Sequence, residues 1–100
     1  MILDHVALVV KDPRASAEWY SENYDAKILY ADETWSFVEL ENIKIAFVTK
    51  TQHPPHIAFK VDSLDESKKI KVHRDGTSSF YTKDLDNNII EMIKYPKEDD

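Results

Sequence analysis

His53-Pro-Pro-His56-Ile-Ala-Phe-Lys-Val61, just past the middle of the chain, has an echo at the N-terminus. Asp4-His5-Val6-Ala7-Leu8-Val9-Val10 aligns with Pro55-His56-Ile57-Ala58-Phe59-Lys60-Val61. His, Ala and the last Val coincide, and Val/Ile and Leu/Phe are near-equivalents. The offset is 51 residues in a chain of 100. Two copies of one strand, each with His at the second position, point to an internal duplication and make the histidines the first functional candidates.

The segments between the copies repeat as well. Ile2 to Val10 is short, β-branched and apolar on both faces, so it reads as a strand covered twice. Asp12-Pro13 starts a helix: Asp can cap, and Pro at the first helical position already has the required φ. Over Arg14 to Tyr24, Ala17, Tyr20 and Tyr24 form one stripe, widened by Trp19, which predicts an amphipathic helix packed on a sheet. Strands are expected over Ala26 to Asp32, Trp35 to Glu41 and Ile43 to Thr49. Glu41-Asn42 reads as a tight turn between the last two, where Asn tolerates positive φ.

Lys50 to Pro55 is a polar, proline-bearing boundary. Beyond it a strand over His56 to Val61 leads to a shortened helix over Ser63 to Lys69, where Asp62-Ser63 with Glu66 resembles a capping box. A strand near Ile70 to His73, the Asp75-Gly76 turn, and strands over Ser78 to Lys83 and Asn88 to Tyr95 follow. The reading is one 1–100 domain of two βαβββ modules, about 1–50 and 55–96. The closing Lys97-Glu-Asp-Asp100 is expected to be a solvated tail.

Composition narrows the function classes. The apolar fraction of 42% suits a folded domain. A net charge of −6 argues against nucleic acid and anionic membrane surfaces. With no Cys there is no disulfide, thiolate metal site or Cys nucleophile. Gly76 is the only glycine, which excludes Gly-rich phosphate loops. No apolar run approaches the roughly 20 residues of a membrane span, and Met1-Ile-Leu-Asp-His lacks the basic start of a signal peptide. The expectation is a cytoplasmic, soluble protein.

Four pieces in order carry a family resemblance: Asp-His5-Val-Ala-Leu-Val-Val, Ala17-Glu-Trp-Tyr20, Pro-His56-Ile-Ala-Phe-Lys-Val, and Phe80-Tyr-Thr-Lys-Asp84-Leu-Asp-Asn-Asn-Ile-Ile-Glu91. The last resembles an F-x-D-P-D-G-N-x-I-E ending. Together they resemble the vicinal oxygen chelate superfamily: glyoxalase I, extradiol dioxygenases, fosfomycin-modifying enzymes, methylmalonyl-CoA epimerase and the bleomycin-resistance proteins. The resemblance covers nearly the whole chain. It implies an α+β fold of paired βαβββ modules whose curved sheet encloses a cleft, and a divalent metal there (Fe, Mn, Zn or Ni). The matching ligand positions are His5, His56 and Glu91. The fourth family position, taken 46 residues before Glu91, is Ile45, which cannot bind metal. Two imidazoles and one carboxylate suit a metal with open positions for substrate.

A single His in an apolar strand is more often structural than a ligand. Two in register, with Glu91 inside Ile-Ile-Glu-Met-Ile, call for a compensating cation, because burying an unpaired carboxylate is costly. His53 reads as an exposed loop residue. His73 with Arg74 could meet an anionic group but sits at a turn. Tyr81 is the one catalytic candidate, and Tyr81 and Tyr95 could equally be packing residues. Trp35, Phe37 and Glu39 share a face that suits either a cleft wall or a dimer contact. The reading is a metal-dependent enzyme on a small vicinally oxygenated substrate, expected as a homodimer. The alternatives are a metal-free small-molecule binder like the bleomycin-resistance proteins, and a subunit without chemistry docked on a larger enzyme.

Overall fold

A computed structural model describes residues 1–96, and the expected tail, Lys97 to Asp100, lies outside them. In chain order the elements are β1 (Ile2–Val9), α1 (Pro13–Tyr24), β2 (Lys27–Ala31), β3 (Trp35–Glu39), β4 (Lys44–Val48), β5 (His56–Lys60), β6 (Lys71–Val72), β7 (Ser78–Lys83) and β8 (Ile89–Lys94). Parallel and antiparallel pairs both occur, and the fold is α+β. Two compact units divide the chain: His5–His56, and Met1–Asp4 with the chain from Ile57 onward.

The His5–His56 unit is built around α1. Asp12 caps it, its carboxylate accepting from the Ala15 amide at 3.1 Å, and Pro13 opens the first turn. The helix ends at Asp25, which takes a left-handed conformation (φ 57°) and donates its amide to the Ser21 carbonyl at 3.1 Å. Strand order here is β2-β3-β4-β1. β2–β3 and β3–β4 are antiparallel, and β1–β4 is parallel.

Register assigns the faces of this sheet, because directly opposed residues point the same way. Val38 opposes Ile45, and Ser36 opposes Phe47. This face meets α1: Ala17, Ala26, Val38 and Phe47 form the buried cluster, with Tyr20 4.9 Å from the Phe47 ring. The Ser36 hydroxyl donates to the Pro13 carbonyl at 2.6 Å, which ties β3 to the start of the helix. Trp19 and Tyr24, expected in the packing stripe, are instead exposed and meet each other edge to face at 5.5 Å.

The second unit departs from the expected repeat. No helix forms over Ser63 to Lys69. The Asp65 carboxylate accepts from the Ser67 amide and hydroxyl, and Lys68 turns back onto the Asp65 carbonyl. In so short a segment, with Leu64 as its main apolar anchor, these local bonds outcompete a helical turn. Strand order is β5-β8-β7-β6, and β6 is only two residues long. Gly76 (φ 89°) makes the expected turn between β6 and β7. Asn42 does not take positive φ; Asn87 (φ 67°) does, in the turn before β8. There the Asp84 carboxylate gathers the amides of Asp86 and Asn88.

Candidate metal centre

His5 and His56 come together in the His5–His56 unit. Their ring centroids are 5.5 Å apart with planes at 74°. β1 places His5 on the face away from α1, in register with Lys44, while Val6 pairs with Ile45 on the helix side. His5 is 8% exposed. His56 begins β5, and its Nδ1 lies 3.0 Å from the Pro54 carbonyl. A carbonyl can only accept, so Nδ1 carries a proton and Nε2 is the ring's ligand atom. Backbone-anchored imidazoles of this kind are the usual metal-binding form. The Pro-Pro loop, read from sequence as a boundary, thus also fixes a tautomer. The signal was legible in position only: a carbonyl two residues before a His.

Glu91 and Tyr81 face each other in the second unit as directly opposed residues of β8 and β7. Glu91 is 5% exposed. Partial burial, the Glu91 charge and a hydrogen bond to Glu91 push the Tyr81 phenol up to about 12. At neutral pH Tyr81 is therefore a phenol that donates, not a base.

The fourth-ligand position shifts by one. Val10 donates its amide to Val48 at 2.8 Å, and Val61 to Ile93 at 2.9 Å. These matching bonds give the last strands an offset of 45, so the counterpart of Glu91 is Ala46 rather than Ile45. Ile45 faces α1; Ala46 lies on the His5 face and has no donor atom. The first module still supplies one ligand, with a different residue behind the gap.

Tyr95, His73, Arg74 and His53 are placed elsewhere. The Tyr95 hydroxyl donates to both carboxylate oxygens of Asp4, at 3.0 and 2.9 Å. Asp4 is itself buried, a role the sequence did not signal because Tyr95 is 91 residues away. His73 Nε2 lies 2.7 Å from the Ser79 hydroxyl within its hairpin, and Arg74 is exposed at the turn. His53 is exposed. Among the described residues, no helix is long and apolar enough to cross a membrane.

No protein-family model matches the chain, and none of the curated proteins does. Solved structures do. Hypothetical protein BH1468 from Bacillus halodurans C-125 is 15% identical, with a TM-score of 0.75, over 98% of this chain and 96% of its own. A variant of Streptomyces coelicolor methylmalonyl-CoA epimerase, in complex with 2-nitronate-propionyl-CoA, is 12% identical with a TM-score of 0.74, covering 97% and 99%. A structure described as NAD-dependent benzaldehyde dehydrogenase from Legionella pneumophila is 16% identical with a TM-score of 0.65, covering 92% and 98%. At these identities, and with such different activities attached, the likeness is one of fold.

Proposed function

The chain has the fold of the vicinal oxygen chelate superfamily, and on it we propose a divalent-metal-dependent enzyme acting on a small, vicinally oxygenated substrate. His5, His56 and Glu91 would hold the metal. The observation that carries this reading is that the His5 and His56 rings, at the two strand positions that the resemblance marks as ligands, stand 5.5 Å apart, while Glu91 is a carboxylate buried to 5% exposure in an apolar strand. The donor set fits: two imidazoles and one carboxylate suit Fe, Mn, Zn or Ni and leave coordination positions for substrate oxygens. A bound metal would supply Lewis-acid polarisation of those oxygens.

The chain's own residues prepare the donors. The Pro54 carbonyl anchors the His56 ring through Nδ1–H, which fixes its orientation. Tyr81, which stays protonated, gives Glu91 a hydrogen bond and so restricts its rotation. We assign Tyr81 the role of positioning Glu91 and of donating to a substrate oxygen, in place of a general base.

The test is metal content. Protein purified without chelator should carry about one divalent ion per chain, lost in His5→Ala, His56→Ala and Glu91→Ala. Bound metal unchanged in His56→Ala would sink the three-ligand reading. Metal-free preparations that still bind small molecules would favour the sequestration alternative.

A further inference from the structure

β1 and β4 run parallel and end together, at Val9 and Val48. An open cavity of about 500 Å³ lies beyond these carboxyl ends, lined by Val9, Val10, Lys11, Thr49, Lys50 and Thr51. In open sheets the crevice outside the carboxyl ends of parallel strands is a recurrent ligand position. From β1 the chain passes directly to α1, and from β4 it enters a tight turn closed by the Gln52 amide on the Thr49 carbonyl at 3.0 Å. The polar side chains of the lining are all donors. Lys11 and Lys50 bring two ammonium groups and Thr49 and Thr51 two hydroxyls. Among the described residues neither lysine has an ion-pair or hydrogen-bond partner. The acids of the adjoining segments, Asp12, Asp32 and Glu33, do not line the cavity. Asp12 accepts from the Ala15 amide, and Asp32 from the Tyr30 hydroxyl and the amides of Thr34 and Trp35. The apolar part of the lining is Val9, 41% exposed, and half-buried Val10.

We propose that this cavity binds a phosphate monoester, its dianion between the Lys11 and Lys50 ammonium groups and its organic part against Val9 and Val10. Two cations match a dianion, and a lining that holds lysines and no acid stands apart in a chain of net charge −6. Ammonium groups take phosphate as point charges, and threonine hydroxyls add directional donors to its oxygens. The valine surface gives an anion no partner and is favourable to cover with apolar atoms, so the lining fits an ester better than a free ion. The cavity is separate from the candidate metal centre. Val9 is four residues beyond His5 in β1, about 13 Å along an extended strand. Binding there requires no metal, and the inference does not rest on the metal-dependent reading.

The probe is n-butyl phosphate, titrated into the EDTA-treated chain at about 150 mM salt, which removes any metal that phosphate could ligate and screens diffuse charge. The backbone amide resonances of Lys11, Thr49, Lys50 and Thr51 should shift saturably with one common Kd. n-Butyl sulfate, a monoanion with the same alkyl group, should bind about tenfold more weakly, and inorganic phosphate several-fold more weakly for want of the valine contact. Lys11→Gln and Lys50→Gln should each weaken n-butyl phosphate by about tenfold, the size of one charge-assisted contact. Lys68→Gln, at an exposed lysine of the second unit, should leave the Kd unchanged. Both lining lysines are exposed, and circular dichroism checks that their variants keep the fold; if one does not, the other decides. Equal binding of n-butyl sulfate, undiminished binding by the lysine variants, or shifts spread over exposed lysines of both units overturns the proposal. Equal binding of inorganic phosphate overturns it too, by reducing the cavity to an ion site. Because the protein is metal-free throughout, each of these outcomes leaves the metal-dependent reading where it stands.

Discussion

The imidazoles of His5 and His56, 51 residues apart in sequence, stand edge to face with centroids 5.5 Å apart. On the His56 side the tautomer is set, because the Pro54 carbonyl fixes the proton on Nδ1. His56→Ala should lower divalent-metal affinity by more than about 100-fold, since it removes a ligand outright rather than a supporting hydrogen bond. Isothermal titration with Zn(II) or Mn(II) measures it, and undiminished affinity contradicts the assignment.

Tyr81→Phe separates positioning from ligation. It deletes the hydrogen bond to Glu91 while leaving three donors in place. A fall in metal affinity of about 10-fold, with stoichiometry kept, is the expected result. Complete loss of binding would instead make Tyr81 part of the ligand set.

Helix α1 gives two substitutions of opposite sign. Asp12→Ala removes the cap accepted from Ala15 and should cost about 1 kcal/mol in urea unfolding. Asp25→Gly relieves the left-handed conformation at the other end and should gain about 0.5 kcal/mol. Equal effects of the same sign would show that the helix ends do not limit stability.

Acid should unfold the protein through its turn aspartates. The Tyr30 hydroxyl first, then the amides of Trp35 and Thr34, hold the Asp32 carboxyl below the usual range. The Thr77 hydroxyl does the same for Asp75, and the Asn88 side-chain amide for Asp84. Each carboxyl is lowered in the folded state, so its contribution is complete above the unfolded value of about 3.9 and is lost as pH falls through the folded one. Urea midpoints should therefore be level from pH 7 to about 5 and drop below about pH 4. Asp84→Ala should lower the neutral midpoint and flatten that drop; an unchanged acid limb would refute the linkage.

The sequence by itself determined the α+β architecture and singled out His5, His56 and Glu91 as the candidate metal ligands. The duplicated His-x-Ala strand, the Asp12-Pro13 helix start and the Asp75-Gly76 turn are local signals, and local signals survive in one dimension. Strand alternation also placed Trp35, Phe37 and Glu39 on one face. Only the tertiary structure decided the rest. The missing helix over Ser63 to Lys69 was lost to side-chain bonds at Asp65 that compete within a few residues. The shift from Ile45 to Ala46 came from the register of a parallel pair, which no sequence offset fixes, because a slip of one residue reverses the face. The Asp4–Tyr95 bond and the Lys44 position beside His5 join residues distant in the chain, and their partners exist only once the strands have paired.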